Sequence, residues 1–180
     1  MNITPSPRLR YRLLNAADLS LLADLDSDPE VMKFINGGHP HSVADIKQTF
    51  IPRLTSYVNP EKGWGLWGCF DISSTAFLGW LLVRPMGFFD TTRNDQDIEL
   101  GWRFKKQTWG KGLATEAAAH IMAHLRAHNP KIEQFSAIAM PNNKASIKVM
   151  TKLDMEFVKQ GVHHDPLGDL DVVYYTLQVK

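Results

Sequence analysis

The stretch DIELGWRFKKQTWGKGLATEAA, residues 97–118, decides how the rest of this chain is read. Ile98, Leu100, Trp102 and Phe104 alternate with Glu99, Gly101 and Arg103, which is the period of a strand with one buried face. The strand runs into Gln107-Thr108-Trp109-Gly110-Lys111-Gly112-Leu113-Ala114, whose two glycines permit dihedrals and close approaches that a side chain would block. Beyond it, Ala114, Ala117, Ala118 and Ile121 recur at helical spacing, and alanine is the strongest helix former. Unpaired N–H groups of Gly110, Lys111, Gly112, Leu113 and Ala114 are therefore expected to converge at a helix N-terminus, where the macrodipole favours negative charge. A phosphate or pyrophosphate suits that spot, and Lys105, Lys106 and Lys111 add positive charge around it.

Residue identities exclude two other phosphate motifs. A Walker loop needs Ser or Thr after Gly-Lys, whereas Gly112 follows Gly110-Lys111. The dinucleotide fingerprint needs a third glycine where Thr115 stands, and no acidic residue closes a second strand at the required distance. The pattern Q/R-x-x-G-x-G/A after an amphipathic strand does fit, with Gln107, Gly110 and Gly112, and it resembles the acetyl-coenzyme A pyrophosphate loop of the GNAT superfamily of N-acetyltransferases. Residues 132–157 then give a strand ending at Met140-Pro141, the pair Asn142-Asn143, and a helix with Ile147, Met150 and Leu153 in helical spacing. Asn143-x-x-Ser146 with Lys152-Leu153 resembles an element of the subfamily that acetylates ribosomal-protein N-termini. The resemblance runs from Arg8 to Val179.

The resemblance implies an α/β (α+β) acyl-CoA N-acyltransferase fold. Its central sheet is mixed, mostly antiparallel, flanked by helices, and splayed between the strands at about 97–104 and 132–140. It also implies acetyl-CoA as co-substrate, with no metal, and a primary amine as acceptor. The backbone of Leu100 to Phe104, including Trp102, would receive the pantetheine arm like an added strand. Gln107, Trp109, Gly110, Lys111, Gly112, Leu113 and Ala114 would hold the pyrophosphate. Asn143 matches a position that contacts the cofactor and reads equally as a helix cap.

Glu99 lies where relatives carry an acid that deprotonates the amine directly or through water, and it reads also as a sheet-face carboxylate beside Arg103. Ser146 matches a position near the thioester. His163, His164 and Asp165 are reserves for proton transfer. Two departures stand out. Met150 occupies the place of a proton-donating tyrosine, and Asp154 the place of a glycine after Lys152-Leu153. Cys69 reads as a small buried apolar residue rather than an acyl carrier.

The acceptor class stays open between a protein or peptide N-terminal amine and a small-molecule amine such as a polyamine, amino sugar or antibiotic. A non-catalytic acyl-CoA sensor keeps the fold without the chemistry.

Composition bounds these readings. The chain has 180 residues, enough for one domain, which is assigned to 8–180 with 1–7 as a short N-terminal extension. Its 20 basic and 19 acidic residues nearly cancel, so no field points to nucleic acid or an anionic membrane. A single cysteine excludes an intrachain disulfide, and no apolar run is long enough to span a bilayer. A cytoplasmic monomer or homodimer is expected.

Elsewhere, Arg8 to Leu13 alternates as a first strand, and Asn15 with Asp18 caps a helix carrying Leu21, Leu22 and Leu25. Asp28-Pro29 starts a second helix, and Ser42 with Asp45 a third, whose Val43, Ile46, Phe50, Ile51 and Leu54 are expected to face inward and which Pro52 bends or ends. Residues 64–72 and 77–84 read as a hairpin, with Gly79 a close-approach point. Residues 85–96 form a loop whose Phe88 and Phe89 either wall the acceptor site or tuck into the core. Residues 156–162 and 171–179 close the chain as an antiparallel pair.

Overall fold

The computed structural model describes residues 1–179, which build a seven-stranded sheet with helices on both faces. The strands are β1 (Leu9–Leu13), β2 (Gly65–Asp71), β3 (Phe77–Met86), β4 (Asn94–Phe104), β5 (Gln134–Ala139), β6 (Glu156–His163) and β7 (Leu170–Gln178). Their order across the sheet is β1-β2-β3-β4-β5-β7-β6, antiparallel except where β4 meets β5. The helices are α1 (Leu19–Asp26), α2 (Pro29–Asn36), α3 (Val43–Asp45), α4 (Ile51–Tyr57), α5 (Leu113–His128) and α6 (Lys144–Lys152). Helices α5 and α6 bury one face of the sheet with Ile98, Leu100, Phe104 and Phe135. Helices α1, α2 and α4 bury the other with Leu66, Phe77 and Trp80. No helix among the described residues is long and apolar enough to cross a membrane.

Local signals place most of these elements. Asn15 and Asp18 close a reciprocal capping box at a short 3-10 turn that opens α1, Asp28 caps α2 with Pro29 in its first turn, and Ser42 with Asp45 boxes α3. Ahead of Pro52, residues Ile46–Phe50 form a π-turn that joins α3 to α4. Proline brings a ring and no N–H, and a wide turn accommodates both. Val43 is exposed, against expectation, because the helix meets the sheet only from Ile46 onward. The hairpin strands run further than their apolar cores suggest. Pairing of Pro85 with Ile98 and Met86 with Asn94 shortens the loop to residues 87–93. Phe88 and Phe89 are half-buried and stack edge-on against Tyr57 of α4, at 5.8 and 6.2 Å, so they belong to that helix's packing.

The expectation of one buried face on β4 is corrected. Both faces are buried, and the polar one is closed by ion pairs: Glu99 with Arg84, and Arg103 with Asp26. Glu99 does not meet Arg103. Side chains four apart along a strand are separated by roughly 13 Å, whereas Arg84 sits directly across on β3. Gly79 is the predicted close approach: its φ is +152°, and a Cβ there would stand 2.3 Å from the Arg103 carbonyl oxygen. At the outer edge, β6 skips a residue between Phe157 and Lys159, leaving Val158 in a bulge.

Asp154, standing where a glycine was expected, keeps glycine's geometry. Its φ is +59°, and the N–H groups of Asp154 and Met155 return to the carbonyls of Thr151 and Met150 as in a Schellman turn. Left-handed backbone disfavours any residue with a Cβ, least so Asp and Asn. Asp154→Gly is expected to raise stability by about 0.5–1 kcal/mol, or about 1–4 °C in Tm, while Asp154→Val lowers it by at least as much. Thermal melts of the two variants check this.

Candidate active site

The cleft exists because β4 and β5 part. They pair only through Asp97–Gln134, Ile98–Phe135 and Glu99–Ser136, after which β4 stays with β3 and β5 with β7. A polar clasp closes the vertex: Asp97 Oδ2 accepts from Gln134 Nε2 at 2.5 Å and Ser136 Oγ at 3.0 Å. Burial holds that carboxyl above its usual pKa despite these bonds. From Leu100 onward the outer edge of β4 faces open space, as the edge of a missing strand. The cleft encloses about 310 Å³, walled by α2 through Val31, Phe34 and Ile35, by the first turn of α5, and by α6 from Ala145 to Lys152.

At the α5 end lies the glycine turn. Gly110 and Gly112 have φ of +74° and +75°, and around Gly110 nothing lies within 4 Å of where a Cβ would sit. No side chain caps α5, and among the described residues the N–H groups of Leu113, Ala114 and Thr115 have no partner. The turn is braced from below: Trp109 Nε1 donates to the Phe104 carbonyl at 2.8 Å, and Thr108 Oγ1 to that of Lys105 at 2.6 Å. Open glycine backbone with free donors at a helix N-terminus is what a pyrophosphate requires, and an unpaired strand edge beside it fits the amide-bearing pantetheine arm, so the residues suit coenzyme A.

Of the residues expected to hold the cofactor, Trp102, Phe104, Trp109, Gly110, Gly112, Leu113, Ala114 and Asn143 line this cleft. Leu100 does so with neither face of its side chain, which is 1% exposed in the core, and its backbone alone is available. Gln107 lines a smaller polar recess beside α1, and the Lys111 side chain is not on the wall. Lys105 and Lys106 are engaged by Asp24 and Glu30 of α1 and α2. Instead Lys148 and Lys152 of α6 reach the cleft, which sequence reading passed over although their four-residue spacing puts them on one helix face.

The catalytic candidates separate. Ser146 lines the cleft, and its hydroxyl makes no hydrogen bond among the described residues. Its N–H donates to Asn143 Oδ1 at 3.1 Å, so Asn143 is a helix cap as well as a wall residue. Glu99 is 4% exposed and does not line the cleft; Arg84 Nε and Nη2 donate to its two oxygens at 2.7 and 3.1 Å. Phe89 and Tyr57 stack over that guanidinium. The reserves lie apart from the cleft: His163 rests against Tyr174, His164 pairs with Asp169, and Asp165 is held by Arg53 at 2.6 Å. Met150 is fully buried in the core beneath α6, so this position offers the cleft nothing. Cys69 is also buried, which pushes its thiol pKa up and leaves it without nucleophilic character.

A sheet opened beside an anion-binding turn defines a coenzyme A-dependent acyltransferase. The sequence profile of the acetyltransferase (GNAT) domain matches residues 8–156, and the chain belongs to that family, whose members move an acetyl group from acetyl-CoA to an amine. It is 31% identical over 159 residues to the uncharacterised protein YkkB of Bacillus subtilis, covering 84% of each chain. Among solved structures it resembles RimL, a ribosomal L7/L12 alpha-N-protein acetyltransferase in complex with coenzyme A, with a TM-score of 0.75 at 14% identity over 99% of this chain and 98% of that one. It also resembles the aminoglycoside acetyltransferase AAC(6')-Ib in complex with coenzyme A, with a TM-score of 0.70 at 17% identity over 94% of both.

Gly112→Val puts a β-branched side chain on a left-handed residue and among the free donors. Coenzyme A affinity measured by calorimetry is expected to fall at least tenfold, ~1.4 kcal/mol, with the circular dichroism spectrum retained.

Proposed function

We propose that this enzyme acetylates the N-terminal α-amine of a protein or peptide, with Glu99 taking up the amine proton through a bridging water and Ser146 standing beside the thioester. The observation that carries the reading is the state of Glu99. It is a buried carboxylate at the vertex of the split, and both of its oxygens are already engaged by Arg84. The cleft itself is lined by no histidine among the described residues, and by one carboxylate, Glu30 at its α2 wall. Such a site asks for an acceptor that is already partly neutral. At pH 7 an α-amine with pKa near 7.8 is about 14% neutral and a lysine amine only ~0.04%. The resemblance to RimL supports the same choice.

In the reaction the amine nitrogen forms a bond to the acyl carbon, the carbon–sulfur bond breaks, and coenzyme A leaves as a thiolate that takes a proton from solvent. A thiolate with a pKa near 8.5 departs without an acid, which agrees with the burial of Met150. Acetyl-CoA as co-substrate supports a cytoplasmic site of action.

The resemblance to an aminoglycoside acetyltransferase keeps a small-molecule amine as the second reading. Thiol release from acetyl-CoA with a panel of peptides, free lysine, polyamines and aminoglycosides decides between them. Turnover is expected with peptides bearing free α-amines and not with their lysine side chains, and turnover confined to the small amines overturns the proposal. Glu99→Gln keeps shape and removes the proton acceptor, and because it also leaves the buried Arg84 without its counter-charge, thermal melts establish that the variant folds. Its kcat/KM is expected to fall ~10²-fold near neutral pH and to recover partly at high pH, where neutral amine is abundant. Wild-type rates across the pH range would move the role to bound water.

A further inference from the structure

One carboxylate is in the wrong place for a phosphate-binding helix. Glu116 lies in the first turn of α5, beside the free N–H groups that would meet the pyrophosphate, where an unbalanced negative charge would repel it. The structure balances it with the segment that leads into β1. Arg8 Nε donates to Glu116 Oε2 at 2.6 Å, the Arg8 backbone N–H to Oε1 at 3.0 Å, and Ser6 Oγ also to Oε1 at 2.7 Å. Burial would raise the Glu116 pKa, and the bonds from Ser6 and Arg8 outweigh it and hold the group below its usual value, as a carboxylate. The same guanidinium reaches the glycine turn. Its Nη1 donates to the Lys111 carbonyl at 2.8 Å. Its Nη2 makes no hydrogen bond among the described residues and would lie 3.7 Å from a Cβ built on Gly112.

We propose that Arg8 is a cofactor-binding residue: it masks Glu116, fixes the Lys111 carbonyl away from the ligand, and presents Nη2 to the phosphates of coenzyme A. Each nitrogen of the planar fork then has its own task, which the single ammonium of a lysine does not reproduce. The inference rests on the coenzyme A reading of the turn and goes beyond it in drawing the N-terminal segment, from another part of the chain, into the site. In that reading α5 tolerates an acid in its first turn because Arg8 and Ser6 neutralise and cover its charge.

Calorimetry of coenzyme A binding to Arg8→Met, Arg8→Lys, Glu116→Gln and the double variant Arg8→Met/Glu116→Gln tests this, with thermal melts to establish folding. Arg8→Met is expected to weaken binding at least tenfold, Arg8→Lys by less, and Glu116→Gln to leave affinity equal or tighter, because Arg8 is then unopposed. The double variant recovers part of the loss, since no bare carboxylate remains. If Glu116→Gln weakens binding as much as Arg8→Met, or if Arg8→Met binds like wild type, the pair is only a structural tie and the proposal fails. Should Arg8→Met not fold, Glu116→Gln and Arg8→Lys still decide: a tenfold loss in the first, or none in the second, overturns the idea.

Repeating the titrations with 3′-dephospho-coenzyme A identifies the group contacted. Equal losses for both ligands assign Nη2 to the pyrophosphate, and a loss confined to coenzyme A assigns it to the 3′-phosphate; loss with neither rejects the contact. A wild-type protein that binds no coenzyme A refutes the underlying reading. Gly112→Val losing affinity while Arg8→Met does not refutes only this inference.

Discussion

Everything in this molecule that bears on chemistry depends on two adjacent strands that stop pairing. Strand β4 is held to β3 from Ile98 to Phe104, and β5 to β7 throughout, so after Glu99 and Ser136 neither can follow the other. Unpaired backbone groups cost roughly 1–3 kcal/mol each when removed from water without a partner. A folded chain with a parted sheet therefore keeps the gap wet or fills it with something that supplies amides of its own. Gly79 is part of how the parting is held, since only a residue without a Cβ lets β3 lie so close under the Arg103 carbonyl.

The polar face of β4 shows how the sheet carries charge through a core. Glu99 and Arg103 are each sealed by a partner from a different element, Arg84 on β3 and Asp26 at the end of α1. Breaking such a pair from one side leaves an uncompensated buried charge, which is more damaging than never having built it. Asp26 is shared further with His41 Nδ1 at 3.1 Å, so the loop after α2 is tied through it to the strand that edges the cleft. The α2 wall is thereby positioned by the same ion pair that closes the sheet face.

Much of this was legible in the sequence. Caps such as Asn15–Asp18 and Ser42–Asp45, the glycine turn and the closing hairpin are local, and their signals span only a few residues. What escaped depends on register. That Glu99 faces Arg84 rather than Arg103 follows from which residue of β3 lies opposite, and period-two alternation says nothing about that. The alternation itself misled in one respect, because polar residues on a strand mark a solvated face only when no second layer covers it, and here α1, α2 and α4 do. Lys148 belongs to no motif and Lys152 reads only as half of the Lys152-Leu153 pair, so neither is marked by sequence as a cleft residue. Lys105 and Lys106 are occupied by Asp24 and Glu30, acids distant in sequence. The part played by Arg8 was invisible for the same reason: it meets Glu116 across 108 residues.

The bulge at Val158 has a bearing on solubility. Strand β6 ends the sheet, and Phe157, Val158 and Val162 all stand more than half exposed along it. A straight apolar edge of that kind is a template on which another extended chain can zip. With one residue out of step, an incoming strand that matches the backbone on one side of Val158 is mismatched on the other. The irregularity thus adds to the exposed charges of Glu156 and Lys159 in guarding the edge against amyloid-like stacking, and a deletion that straightened the strand would leave the fold its hydrogen bonds while removing part of that guard.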